Sequence, residues 1–156
     1  MRQILIVGIP ALGALVVTFL WLAPTQSGEL ALHLDEETVA LGQSLYLENC
    51  AACHGANLEG QADWQSRDAD GYLPAPPHDE TGHTWHHPTE QLFAITKLGT
   101  EAIVGGGYKS NMAAFGDVLS DGEIYAILAY IKSTWPERII ERHNQMDANF
   151  YAARRP

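Results

Sequence analysis

Cysteine, methionine and basic residues are all scarce in this 156-residue chain. There are two cysteines, Cys50 and Cys53, and three methionines. A structural zinc site takes four ligands at compatible spacing, and no second cysteine pair exists to complete one. A disulfide between Cys50 and Cys53 would close too short a loop to constrain much. A redox dithiol would sit beside a βαβ pattern, and none surrounds this pair. Lysine and arginine total 9 against 19 aspartates and glutamates, a net charge of −10. That balance argues against nucleic acid, whose phosphates demand basic surface. It equally argues against docking of the globular part on anionic lipid. No internal repeat and no β-hairpin pattern is present.

What is there begins with Cys50-Ala51-Ala52-Cys53-His54. Two cysteines separated by two residues lie about one helical turn apart. That spacing suits thioether bonds to the two vinyl groups of one haem, and the following histidine is placed to give an imidazole nitrogen to the iron. C-x-x-C-H is the signature of c-type haem attachment.

The length argues for one domain. The soluble part is small, so a bound haem would supply much of the core's apolar volume. Charge is unevenly spread: Glu29 to Glu123 carries 16 acidic residues against Arg67, Lys97 and Lys109, whereas the tail is mildly basic. Ile4 to Ala23 is an uncharged run of 20 residues, long enough to span a bilayer. Arg2 and the free amine precede it, so the positive-inside rule puts the N-terminus in the cytoplasm and the remainder outside. An uncleaved signal-anchor is favoured over a cleaved signal peptide, whose apolar stretch is usually shorter. The expected division is a transmembrane segment at 1–23, a short tether at 24–34, a haem domain at 35–135 and a helical extension and tail at 136–156. The expected location is the bacterial cytoplasmic membrane, single-pass, with the haem domain facing the periplasm.

Along the chain, Asp35 is the candidate N-cap of a helix carrying Val39, Gly42, Leu45 and Tyr46 towards Cys50. Ala56 to His87 reads as a long loop, rich in Gly, Pro, Asp and His. Thr89 is expected to cap a helix over about Glu90 to Leu98. Gly105-Gly106-Gly107 reads as a loop whose glycines permit close backbone approach to the haem. Ser120-Asp121-Gly122-Glu123 is a capping box opening a helix with an apolar stripe of Ile124, Ile127, Leu128 and Ile131. Trp135-Pro136 ends or kinks it, and a further helix carries Ile139 and Ile140. Asn144 to Pro156 is expected to be poorly ordered or held by a partner.

A low-spin electron-transfer haem needs a second strong axial ligand, and methionine opposite histidine raises the reduction potential. Met1 falls in the anchor and Met146 in the tail. Met112, on a loop before the capped helix, is the candidate.

From roughly Glu36 to Trp135 the chain resembles class I c-type cytochromes, most closely membrane-anchored bacterial ones. The residues that carry this are Gly42 and Tyr46, Cys50-x-x-Cys53-His54, Asn111-Met112-x-x-Phe115, and Ile124-x-x-Ile127-Leu128-Ala129-Tyr130-Ile131-Lys132. The resemblance implies an all-α, class I cytochrome c fold around one covalently bound haem c and its iron. It implies that Gly42 and Tyr46 pack against Ile127 and Tyr130 where the first and last helices cross. It also implies that a proline carbonyl orients His54. Pro74, Pro76 and Pro77 are all candidates, and Pro76 is the one included in the candidate site. The haem propionates need partners of their own. The Trp85 indole is preferred over Arg67, Tyr72 and nearby histidines. His78, His83, His86 and His87 read as a polar loop in preference to a metal site. The function implied is a non-catalytic, single-electron carrier between membrane-associated redox partners. The alternatives are a fixed cytochrome subunit of a larger oxidoreductase or terminal oxidase, and a haem enzyme or gas sensor, which would need an open iron position.

Overall fold

The computed structural model describes Leu32 and residues 34–155, and among these every regular element is helical. The elements are α1 (Glu36–Asn49), α2 (Ala51–His54), a 3-10 turn (Thr84–His86), α3 (Thr89–Leu98), α4 (Thr100–Val104), α5 (Asp121–Ser133) and α6 (Glu137–Ala152). Among the described residues no helix is long and apolar enough to cross a membrane. The expected spanning run lies outside the described residues, as does most of the tether.

Local chemistry explains where the main helices start. Both Asp35 carboxylate oxygens accept from Thr38, one from its N–H at 2.9 Å and one from its hydroxyl at 2.8 Å. At α5, Ser120 Oγ accepts the Glu123 N–H, and the Glu123 carboxylate accepts the Ser120 N–H at 2.7 Å. Two orphan N–H donors are thereby satisfied reciprocally.

Helices α1 and α5 form the principal packing pair. They cross at Gly42, where a Cβ would overlap the Ala126 carbonyl and lie 3.0 Å from Tyr130 Cβ. The close backbone approach is therefore at Ala126, one residue before Ile127. The absence of a side chain on Gly42 is what admits the Ala126 backbone there. Tyr46, fully buried, sets its ring 5.5 Å from that of Tyr130. Around them Ile124, Ile127, Leu128, Ile131, Leu92, Trp135 and Ile139 form one apolar cluster.

Two segments differ from expectation. Thr89 is the first residue of α3, and its cap comes from α6: Asp147 accepts the Thr89 N–H and the Thr89 hydroxyl, each at 2.7 Å. The segment from Asn144 onward, expected to be poorly ordered or held by a partner at the end of a helical extension, continues as helix to Ala152. Its inner face uses polar groups, which a search for apolar spacing passes over. His143, fully buried, donates from Nε2 to the His87 carbonyl at 3.0 Å, and Lys132 donates to Asn144 Oδ1 at 2.6 Å. Gly105, Gly106 and Gly107 have φ of 67°, 61° and 78°. That left-handed backbone is itself the requirement for glycine.

Candidate haem site

Helix α1 runs directly into the cysteine motif. The Cys50 N–H bonds to the Tyr46 carbonyl at 2.8 Å, and the His54 N–H to the Cys50 carbonyl at 2.9 Å. Gly55, at φ 82°, then breaks the helix. Two bonds hold the turn in place. Tyr46 donates its hydroxyl to the Gly55 carbonyl at 3.0 Å, and the Gly60 N–H reaches the His54 carbonyl at 2.7 Å. Cys50 is half-buried and Cys53 is exposed, and the two form no disulfide. Burial, with Cys53 beside it, pushes the Cys50 thiol up to about 11.

His54 is buried at 8% exposure, and its Nδ1 lies 2.8 Å from the Pro76 carbonyl oxygen. A carbonyl only accepts, so Nδ1 carries the proton and Nε2 keeps its lone pair. Burial lowers the histidine's pKa, against the opposing pull of the Pro76 bond, and favours this neutral imidazole. Of the three candidate prolines, Pro76 is the one whose carbonyl makes this bond. Gly60 lets the two segments close up, because a Cβ there would meet the Pro76–Pro77 backbone.

His78, two residues on, lies flat against His54, with ring centroids 4.0 Å apart and planes 22° from parallel. Its Nδ1 is 2.8 Å from Thr84 Oγ1. Its backbone is tied at both ends. The N–H donates to the Leu58 carbonyl at 2.8 Å, and the carbonyl accepts the Trp135 indole N–H at 2.8 Å. Sequence reasoning missed this role. Trp135 lies 57 residues away, and no local pattern announces the pairing.

Met112 occupies a separate wall. It is half-buried and lines a cleft of about 590 Å³ with Leu98, Gly99, Ala102 and Ala114. Its Sδ accepts the Thr100 hydroxyl at 3.4 Å, and its N–H donates to Ser110 Oγ at 3.1 Å. The following residues are fastened to the end of α3 by Phe115 N–H to Thr96 carbonyl and Gly116 N–H to Lys97 carbonyl, each 3.0 Å. Thr100 is a second residue that spacing alone did not single out.

Trp85, the expected propionate partner, makes contacts within its own loop and with α6. Its indole N–H already donates to the Glu80 carbonyl at 3.3 Å, and its ring stacks on His86 at 3.7 Å beneath the Arg142 guanidinium. Arg67 donates to the Gly71 carbonyl and lies over the Tyr108 ring. The other loop histidines are also engaged through their rings: His83 stacks on Trp64 and makes an edge contact with His87.

The site residues are two cysteines on one helical turn, a neutral imidazole with one nitrogen committed to a carbonyl, and a thioether on a pinned loop. The sequence profile of the cytochrome c family matches residues 39–135. The chain belongs to the cytochrome c family. Its cofactor is covalently bound haem c with iron, and its chemistry is haem-based electron transfer. The donor set fits that group, because the Pro76 bond leaves His54 Nε2 as the nitrogen able to coordinate. This cytochrome c is 28% identical over 94 residues to the Cbb3-type cytochrome c oxidase subunit FixP of Azorhizobium caulinodans, covering 60% of this chain and 28% of that one. It is 29% identical over 136 residues to a nitrite reductase of Stutzerimonas stutzeri, covering 82% of this chain and 21% of that one. The cytochrome c thus spans less than a third of the length of either relative. No solved structure matches it at the same stringency.

Proposed function

We propose that this cytochrome c is a single-electron carrier with His/Met axial ligation, passing electrons between membrane-associated redox partners on the periplasmic side. Cys50 and Cys53 carry the thioethers, and His54 Nε2 and Met112 Sδ ligate the iron. When bound, the haem supplies a one-electron ferric/ferrous couple. The protein's part is to hold two fixed ligands in a largely apolar setting, so that little rearranges between the two states. The observation that carries the reading is the bond between His54 Nδ1 and the Pro76 carbonyl, which fixes the tautomer and leaves Nε2 for the metal. Thr100 and Ser110 steady Met112 at its sulfur and its N–H. The excess of acidic over basic residues between positions 29 and 123 favours docking on basic partner surface. Ile4 to Ala23 serves as the anchor in the bacterial cytoplasmic membrane. The test is Met112→Ala in haem-loaded protein. The expected result is loss of the methionine–iron charge-transfer band and a lowered potential, with covalent haem retained. An unchanged spectrum refutes the assignment of Met112.

A second reading is a fixed, non-catalytic subunit of a larger oxidoreductase or terminal oxidase. It is favoured by the likeness to an oxidase subunit and by α6, which lies beyond the family match. Co-purification with a stable complex in mild detergent supports this reading. A solubilised protein that runs alone on native gels supports the free carrier.

A further inference from the structure

A hydrogen bond to a carbonyl restrains one edge of an imidazole ring and leaves its plane free to rock about that contact. The Pro76 bond therefore fixes which nitrogen of His54 is free, but not the plane in which that nitrogen is presented. In this structure the plane is set by a second group. His78 lies face to face with His54 at 4.0 Å, and it has unusually little freedom of its own. Its N–H is held by Leu58, its carbonyl by Trp135 and its Nδ1 by Thr84, while the Tyr46 ring meets it edge-on at 6.1 Å.

We propose that His78 is a positioning residue for the proximal ligand, stacking on His54 so as to fix its plane and tune the potential of the site. This rests on the reading of His54 as an iron ligand. Oxidation places more positive charge on the ligating imidazole, and the π electron density of the uncharged ring stacked on it responds to that charge. Groups outside the coordination shell set redox potential in this way. His78 thus favours the oxidised form. Trp135 extends the brace: its indole holds the His78 carbonyl, and its ring meets His143 of α6 edge-on at 5.1 Å. The C-terminal helix therefore supports the ligand plane through two residues.

The test uses the full-length, haem-loaded protein with His78→Leu and His78→Phe. Leucine fills space without a π face, so H78L is expected to raise the midpoint potential and to change the g-anisotropy of the ferric electron paramagnetic resonance signal, which reports the ligand plane. Phenylalanine restores the ring, and H78F is expected to return both readouts towards the parent. A merely structural role would lower stability without this split between the two variants. Unchanged potential and g-anisotropy in H78L overturn the inference. If H78L fails to incorporate haem, Thr84→Val removes only the hydroxyl that holds the ring. It is expected to shift the ferric signal at unchanged haem content, and a signal identical to the parent's overturns the inference. The reading beneath is judged separately: a parent protein without a low-spin His/Met ferric signature overturns the ligand assignment and, with it, this proposal.

Discussion

Replacing Gly42 with alanine tests the helix crossing on which the site is built. Two effects oppose each other. Alanine is favoured over glycine in a helix interior by about 0.8–1.0 kcal/mol. Against this, the new Cβ would overlap the Ala126 carbonyl oxygen and carbon and sit 3.0 Å from Tyr130 Cβ. The first obstacle is backbone, so no side-chain rotation relieves it, and α1 must move away from α5. Overpacking of this kind costs about 1–3 kcal/mol, and a backbone obstacle puts it at the upper end. The net expectation is a loss of about 2 kcal/mol. Gly122 supplies the matched control. It lies in the first turn of α5, where a Cβ meets nothing within 4 Å, so Gly122→Ala is expected to be neutral or to gain up to about 0.5 kcal/mol, less than at an interior position. Guanidinium unfolding of the haem-loaded protein, followed by far-UV circular dichroism, reads both variants through the midpoint at unchanged slope. A G42A midpoint at or above the parent's refutes the crossing argument. A G122A loss as large as that of G42A refutes the use of helix propensity as the opposing effect.

Two further outcomes follow from the caps. Asp147→Ala leaves the buried Thr89 N–H and hydroxyl without acceptors. At about 1–3 kcal/mol for each of the two stranded donors, the same unfolding assay should show a loss of about 2–6 kcal/mol, with Asp147→Asn recovering part of it; a loss under about 0.5 kcal/mol contradicts the capping role. The second outcome concerns pH. Bonds from Ser120 hold the Glu123 carboxyl below its ordinary value of 4.5. The unfolded chain therefore takes up that proton first as the solution is acidified. The stability contributed by Glu123 is complete above pH 4.5 and is lost as pH falls through the folded value. The stability gap between parent and Glu123→Gln should narrow below pH 4.5, and a gap that widens there reverses the sign.

What could be read from the sequence was local. Asp35 and the Ser120–Glu123 box announce their helices because their hydrogen bonds span three residues. Gly42, four residues before Tyr46, marks a close crossing because a missing side chain stands in an otherwise packed stripe. The motif of Cys50, Cys53 and His54 is one turn long and reads directly. What escaped was carried by contacts distant in sequence. Spacing could not choose among three nearby prolines, because the choice depends on which carbonyl the fold brings to His54. The inner face of α6 presents His143 and Asp147, which look solvent-facing until their partners His87 and Thr89 are in place. Trp85 offered a free donor on paper, but the Glu80 carbonyl, five residues away, takes it in the fold.

The ties between the C-terminal region and the middle of the chain also impose an order of events. Trp135 reaches back 57 residues to His78, His143 reaches back 56 to His87, and Asp147 reaches back 58 to Thr89. None of the three can form until the chain has been made past Trp135, His143 and Asp147 respectively. Closing loops of that length carries a larger entropic cost than the nine-residue reach from Tyr46 to Gly55, so contacts of this kind assemble late. The turn bearing both thiols is complete in itself while the segment that will cover His54 still lacks its final fastenings. The connectivity thus favours modification of the cysteines before the ties at His78, His87 and Thr89 close.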